Sequence, residues 1–140
     1  MKFDRVAARM LFGLGILTTG TGTYFLFLRP AMLPEDVHFT GMDPQQMSPE
    51  MLRWLKIVFQ TWGGFITAFG ILLGSIASYM FTLRSALLRW GVAIAVLVAF
   101  GRFLASNISI RSDFLWFIAG LFAIALVTTL RLAWRARHSS

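Results

Sequence analysis

Few residues in this sequence combine a reactive type with a position where chemistry is done, and Arg102 stands out among them. It lies within an otherwise apolar stretch, four residues before Ser106-Asn107. At about 1.5 Å per helical residue that is roughly 6–8 Å below the end of its segment. A guanidinium at that depth costs a few kcal/mol unless it snorkels to the interface or finds a counter-charge. Gln60, Thr21, Thr23 and Tyr24 fall at similar depth on neighbouring segments, and Asn107, Asp113 and Glu50 lie nearer the mouth. The leading reading is an arginine that snorkels to the interface or ties its helix to a loop carboxylate. The functional alternative is that these residues form a small outward-opening polar pocket with Arg102 at its floor, suited to a carboxylate or an anionic head group.

Other chemistry lacks its residues. The chain has no cysteine, so thiolate metal sites, iron–sulfur clusters, disulfides and thiol redox catalysis are excluded. The two histidines, His38 and His138, lie outside the apolar stretches, which argues against a haem or metal centre among them. His38 alone has no partner that would define a pH sensor. No Asp or Glu falls inside an apolar stretch. A small proton-coupled exporter needs such a buried acid, and hydrolysis needs a base beside its nucleophile. The pairs Gly13/Gly15 and Gly20/Gly22 follow no strand and are not a nucleotide-binding fingerprint. The expectation is a protein that is not an enzyme and holds no cofactor.

The elements that position these residues are membrane-spanning helices. Of the 140 residues 57% are hydrophobic and only 14% charged, well below the quarter usual for a soluble domain. A helix needs about 20 apolar residues to cross a hydrocarbon core of roughly 30 Å. Four stretches qualify, at about 6–28, 57–83, 86–106 and 114–133. The first is longer than the apolar region of a signal peptide and no small-residue cleavage site follows it, so it reads as a retained helix. The last three are joined by loops of a few residues, which predicts antiparallel sequence neighbours. The fold expected is an all-α, up-down-up-down integral membrane four-helix bundle in a single domain.

The charges orient it. One side carries Lys2, Arg5, Arg9, Arg84, Arg89, Arg131, Arg135 and Arg137, the other Arg29, Arg53, Lys56 and Arg111. That bias puts both termini in the cytoplasm of a bacterial inner membrane. Glu35, Asp36, Asp43, Glu50 and Asp113 fall on the outer side, and Trp54, Trp116, Trp90 and Trp134 mark the two interfaces. The net charge of +7 is therefore topogenic rather than a nucleic-acid footprint, because no basic stripe with exposed aromatics accompanies it.

Small residues supply the packing faces, since helices in lipid associate through close approach. Gly15, Thr19 and Thr23 mark the first helix, Gly63, Thr67, Gly70, Gly74 and Ser78 the second, Gly91, Ala95 and Ala99 the third, and Ala119 and Ala123 the fourth. Most of these serve packing within the bundle; the face of the first helix is the candidate for a homo-oligomer or partner contact. The outer loop, 29–53, is stopped from continuing the first helix by Pro30 and Pro34. Asp43-Pro44-Gln45-Gln46 predicts a short helical turn, and Ser48-Pro49-Glu50 the start of the helix that becomes the second span. The loop reads as an ordered connection, with a lid over a pocket as the functional alternative.

Trp62-Gly63-Gly64-Phe65, Gly70 and Gly101-Arg102-Phe103-Leu104, with Leu33-Pro34-Glu35-Asp36 and Phe39-Thr40-Gly41-Met42 in the loop, carry a resemblance. Over residues 30–110 the chain resembles small bacterial four-helix membrane proteins of the domain-of-unknown-function type. Such proteins carry a Gly-Gly pair early in helix two and a Gly-Arg pair late in helix three. Many also carry a helix-four glutamate that could pair with the arginine; Ile118 to Phe122 holds none here, so the resemblance does not extend to a charge pair. The resemblance implies a four-helix inner-membrane protein and no reaction. The functional expectation is an accessory or scaffolding subunit of a membrane assembly, or a lipid-binding protein, partnered by membrane lipids and other membrane subunits or copies of itself. The alternative is an oligomeric small-molecule or anion transporter built on the Arg102 region.

Overall fold

A computed structural model describes residues 5–79 and 85–137. Lys2, Arg84, His138 and the last residues of the predicted second span lie outside the described residues. The described chain is helical and contains no strand. Helix α1 (Arg5–Thr23) runs into a π-helical turn (Tyr24–Leu28); α2 (Pro34–Thr40) and a 3₁₀ turn (Pro44–Gln46) follow; then come α3 (Pro49–Tyr79), α4 (Ala86–Ser109) and α5 (Leu115–Arg137). Four helices, α1 with its π turn, α3, α4 and α5, are long and apolar enough to cross a membrane. By that measure the chain is a multi-pass membrane protein.

Local chemistry sets the helix ends. Ser48 Oγ accepts from Met51 N–H at 3.2 Å ahead of Pro49, and Ser85 Oγ accepts from Leu88 N–H at 3.2 Å, so serines start α3 and α4. Asp43 accepts from Gln45 N–H at 2.9 Å and from the Gln46 amide at 3.2 Å, which forms the turn expected there. Helix α2 was not expected. Pro34 occupies its first turn, the Asp36 carboxylate accepts from Leu33 N–H at 2.8 Å, and Gly41 closes it at φ 67°.

The tightest packing joins α1 to α3, antiparallel. A Cβ added to Gly15 would lie 2.7 Å from Gly74 N and 2.8 Å from Gly70 O; one added to Gly70 would lie 2.8 Å from Gly15 O. One on Gly22 would strike Thr67 and stand 2.9 Å from Gly63 O. The two helices carry the same spacing, Gly15-x3-Thr19-x2-Gly22 and Gly63-x3-Thr67-x2-Gly70. Each glycine at the end of one motif faces the threonine and first glycine of the other, so the seam has an approximate internal two-fold. Thr19 and Thr67 hydroxyls donate to Gly15 O and Gly63 O at 2.8 Å, which keeps these polar groups satisfied within their helices.

Helix α4 packs on α5, and α1 bridges the pairs through α5. Leu11, Leu14, Leu73, Val96, Ile118, Leu121 and Ala125 are buried in the shared core. Thr128, buried, donates to Ile124 O, and Thr129 reaches Ala93 O at 3.5 Å. Three packing expectations need correction. Gly15, Gly63 and Gly70 lie in the α1–α3 seam with Gly74 at its edge, but Gly91 and Ala95 are exposed, and a Cβ on Gly91 would meet nothing within 4 Å. Sequence neighbours α3 and α4 are not closely packed either. An apolar cleft of about 450 Å³ separates them, walled by Phe69, Leu72, Leu73 and Ile76 on one side and Leu88, Gly91, Val92 and Ala95 on the other. The small face of α1, read as free for a partner, is largely occupied by α3. Small residues mark where backbones can approach, not which backbone does.

Candidate functional site at the cap end

The polar side chains that the fold does gather lie at the end of the bundle carrying residues 29–48 and the α4–α5 turn. Pro30 initiates the arrangement. It bars the preceding residue from helical conformation and has no N–H to offer Leu26 O, its partner in a continuing α-helix. The last turn widens instead, Arg29 N–H bonding to Tyr24 O at 2.9 Å, and Gln60 of α3 donates its amide to Leu26 O at 3.2 Å. Single π turns of this kind recur at functional positions in helices.

The Arg29 side chain is 4% exposed. It donates to Asp36 Oδ2 at 2.6 Å and to Pro30 O at 3.0 Å. Its guanidinium carbon stands 3.4 Å from the Phe59 ring centroid and 5.3 Å from that of Phe25. A desolvated cation over an aromatic face contributes about 2 kcal/mol. Tyr24, Phe25, Phe59 and Trp62 continue from there as successive edge-to-face pairs with centroids 5.8–6.4 Å apart. Arg29 Nε is buried with no hydrogen-bond partner among the described residues. Because Asp36 also caps α2, one carboxylate fixes both the end of α1 and the start of the loop helix.

The neighbouring acid ties the loop to the other helix pair. Glu35 is buried, and Ser112 Oγ donates to its Oε1 at 3.3 Å. Ser112 Oγ in turn accepts from Phe114 N–H at 3.2 Å ahead of α5, and Ser112 N–H donates to Asn107 O at 3.0 Å. The turn is sharp enough to hold Arg111 at φ 53°, a left-handed conformation uncommon outside glycine. Consecutive residues Glu35 and Asp36 thus bind opposite halves of the bundle.

The predicted pocket around Arg102 is not assembled. Arg102 is exposed on α4, with no side-chain partner among the described residues. Asn107 is buried and donates to Phe103 O at 2.9 Å; five residues from Arg102, it points about 140° away around the helix. Gln60 and Tyr24 belong to the α1–α3 end described above, while Thr21 and Thr23 donate to carbonyls of their own helix. Glu50 and Asp113 are exposed. His38 is exposed on α2. No group of three or more His, Asp or Glu able to hold a metal occurs among the described residues.

Arg29, Asp36, Glu35 and Ser112 are the residues that sequence reasoning missed as a unit. In the sequence Arg29 reads only as a charge flanking a span. The available signal was its seven-residue spacing from Asp36 across Pro30 and Pro34, which turns the chain back on itself.

The chain matches no protein-family model, no curated protein and no solved structure.

Among the described residues the charges of this site pair with groups on other elements, and its hydrogen bonds join the loop to both helix pairs.

Proposed function

We propose that the protein is a non-catalytic accessory or scaffolding component of a bacterial cytoplasmic-membrane assembly. In this reading the four helices run up-down-up-down, both termini face the cytoplasm and the cap faces outward. The charge bias along the sequence supports the orientation. The resemblance to small bacterial four-helix membrane proteins points the same way.

The carrying observation is the use of charge at the cap: Arg29 with Asp36, and Glu35 with Ser112, are committed to ties between elements. Such ties suit a rigid platform. On it Phe39 and Met42 are 60% and 50% exposed, apolar surface of the kind that marks a contact with protein or membrane.

Purification of the full chain in mild detergent from its native membrane, followed by cross-linking through cysteines placed at Phe39 or Met42, tests the role. A stoichiometric membrane partner joined at those positions is the expected result. Recovery of the chain alone, with no cross-link at either position, sinks the accessory reading. A reporter fused after Ser140 tests orientation, and reporter activity outside the cytoplasm overturns it.

A further inference from the structure

The α3–α4 cleft and Arg102 belong to one surface. On α4, Ala95 walls the cleft and Arg102 follows seven residues later, two turns on and on nearly the same face, about 10 Å nearer the cap. On α3, which runs the opposite way, Phe69 walls the cleft and Trp62 precedes it by seven residues, again two turns nearer the cap. The cleft extends from 69 to 76 on one wall and from 95 down to 85 on the other, so its upper ends are Phe69 and Ala95. By that register Trp62 and Arg102 stand at one level above it. Trp62 is 58% exposed and Arg102 is exposed.

Arg102 has no side-chain partner among the described residues, and α4 itself contains no acid, so its guanidinium is free to take an anion from outside the chain. A guanidinium on a lipid-facing helix surface is stabilised by bidentate hydrogen bonds to phosphate. The apolar cleft beneath it selects what the phosphate is attached to. One leaflet of hydrocarbon is about 15 Å thick, half of a core of roughly 30 Å. Arg102 to Gly91 is eleven residues, about 16 Å along the helix. An acyl chain hung from a phosphate at Arg102 therefore passes Phe69 and Ala95 and ends at the level of Leu73 and Gly91, within the cleft. An indole beside the head group completes the pattern seen at membrane interfaces.

We infer that α3 and α4 form a binding site for one anionic phospholipid of the cap-side leaflet, its phosphate on Arg102 and one acyl chain in the cleft. The inference is independent of the accessory role, since the lipid can be lost while a partner at the cap is retained, and the reverse.

Native mass spectrometry of the full chain, delipidated and titrated with palmitoyl-oleoyl phosphatidylglycerol, provides the test. One lipid per chain is expected to survive activation. Arg102→Gln lowers that retention about tenfold, the effect of losing charged hydrogen bonds, and Arg102→Lys restores part of it. Ala95→Phe fills the cleft from an exposed position and lowers retention with Arg102 intact, so the test survives even if the arginine variant does not fold. Equal retention by the wild type and Ala95→Phe, or by the wild type and a folded Arg102→Gln, overturns the site. Displacement of the lipid by millimolar inorganic phosphate overturns it as well, because it shows a free-anion site without use of the cleft.

Discussion

Helix α3 meets α1 backbone against backbone, whereas toward α4 it stands off across a cleft of about 450 Å³. Each contact has small residues on at least one helix, so a small-residue face on a single partner does not distinguish them. On the α1 side the glycines of the two helices interlock with threonines that keep their hydroxyls bonded to their own backbones. On the α4 side Gly91 and Ala95 face bulky Phe69 and Leu72, and no matching small residue lets the axes close. Close helix association therefore needs small residues on both partners at compatible spacing, together with polar groups already satisfied.

Breaking the closed side should have much larger effects than altering the open one. Asp36→Ala leaves the Arg29 guanidinium buried without its carboxylate and should cost about 3–5 kcal/mol, measured by thermal or denaturant unfolding in detergent. The double variant Arg29→Leu/Asp36→Leu should recover much of that loss, because no unpaired charge remains. Next comes Gly70→Ala, whose new methyl would meet Gly15 O and Thr19. A loss of about 1–3 kcal/mol is expected from the same unfolding measurement. Ser112→Ala removes the donor to Glu35 and the cap ahead of α5. It should cost roughly 1–2 kcal/mol and raise amide hydrogen exchange in both α2 and the first turn of α5. At the small end, Gly91→Ala should shift stability by no more than about 0.5 kcal/mol. A large loss at Gly91 would show that α3 and α4 are closed after all, and would erase the contrast.

The sequence conveyed what depends on neighbours a few positions apart. The four apolar stretches, the proline stop after Arg29, the Asp43 turn and the Ser48 start all rest on local patterns, and each appears in the structure. Helix α2 was missed because seven residues framed by Pro34 and Gly41 carry little periodic signal. The Arg29–Asp36 and Glu35–Ser112 ties were missed for another reason. A charge at the end of an apolar stretch reads as an interfacial anchor, and only the tertiary fold reveals that Phe59 covers it or that a serine 77 positions away meets the acid. For Arg102 the place within a long apolar helix was legible, but its companions were grouped by expected depth alone, and depth says nothing about which side of a helix a residue occupies.

The length of α3 acquires meaning from the seam. At 31 residues it is about 46 Å long, well over the roughly 30 Å of hydrocarbon it has to cross. Left alone, such a rod is free to slide along its own axis or lean. Interlocked with α1, which Pro30 cuts short, it has no such latitude. The shorter helix sets the depth at which the longer one floats, and the surplus turns emerge on the side where Arg29 holds the chain.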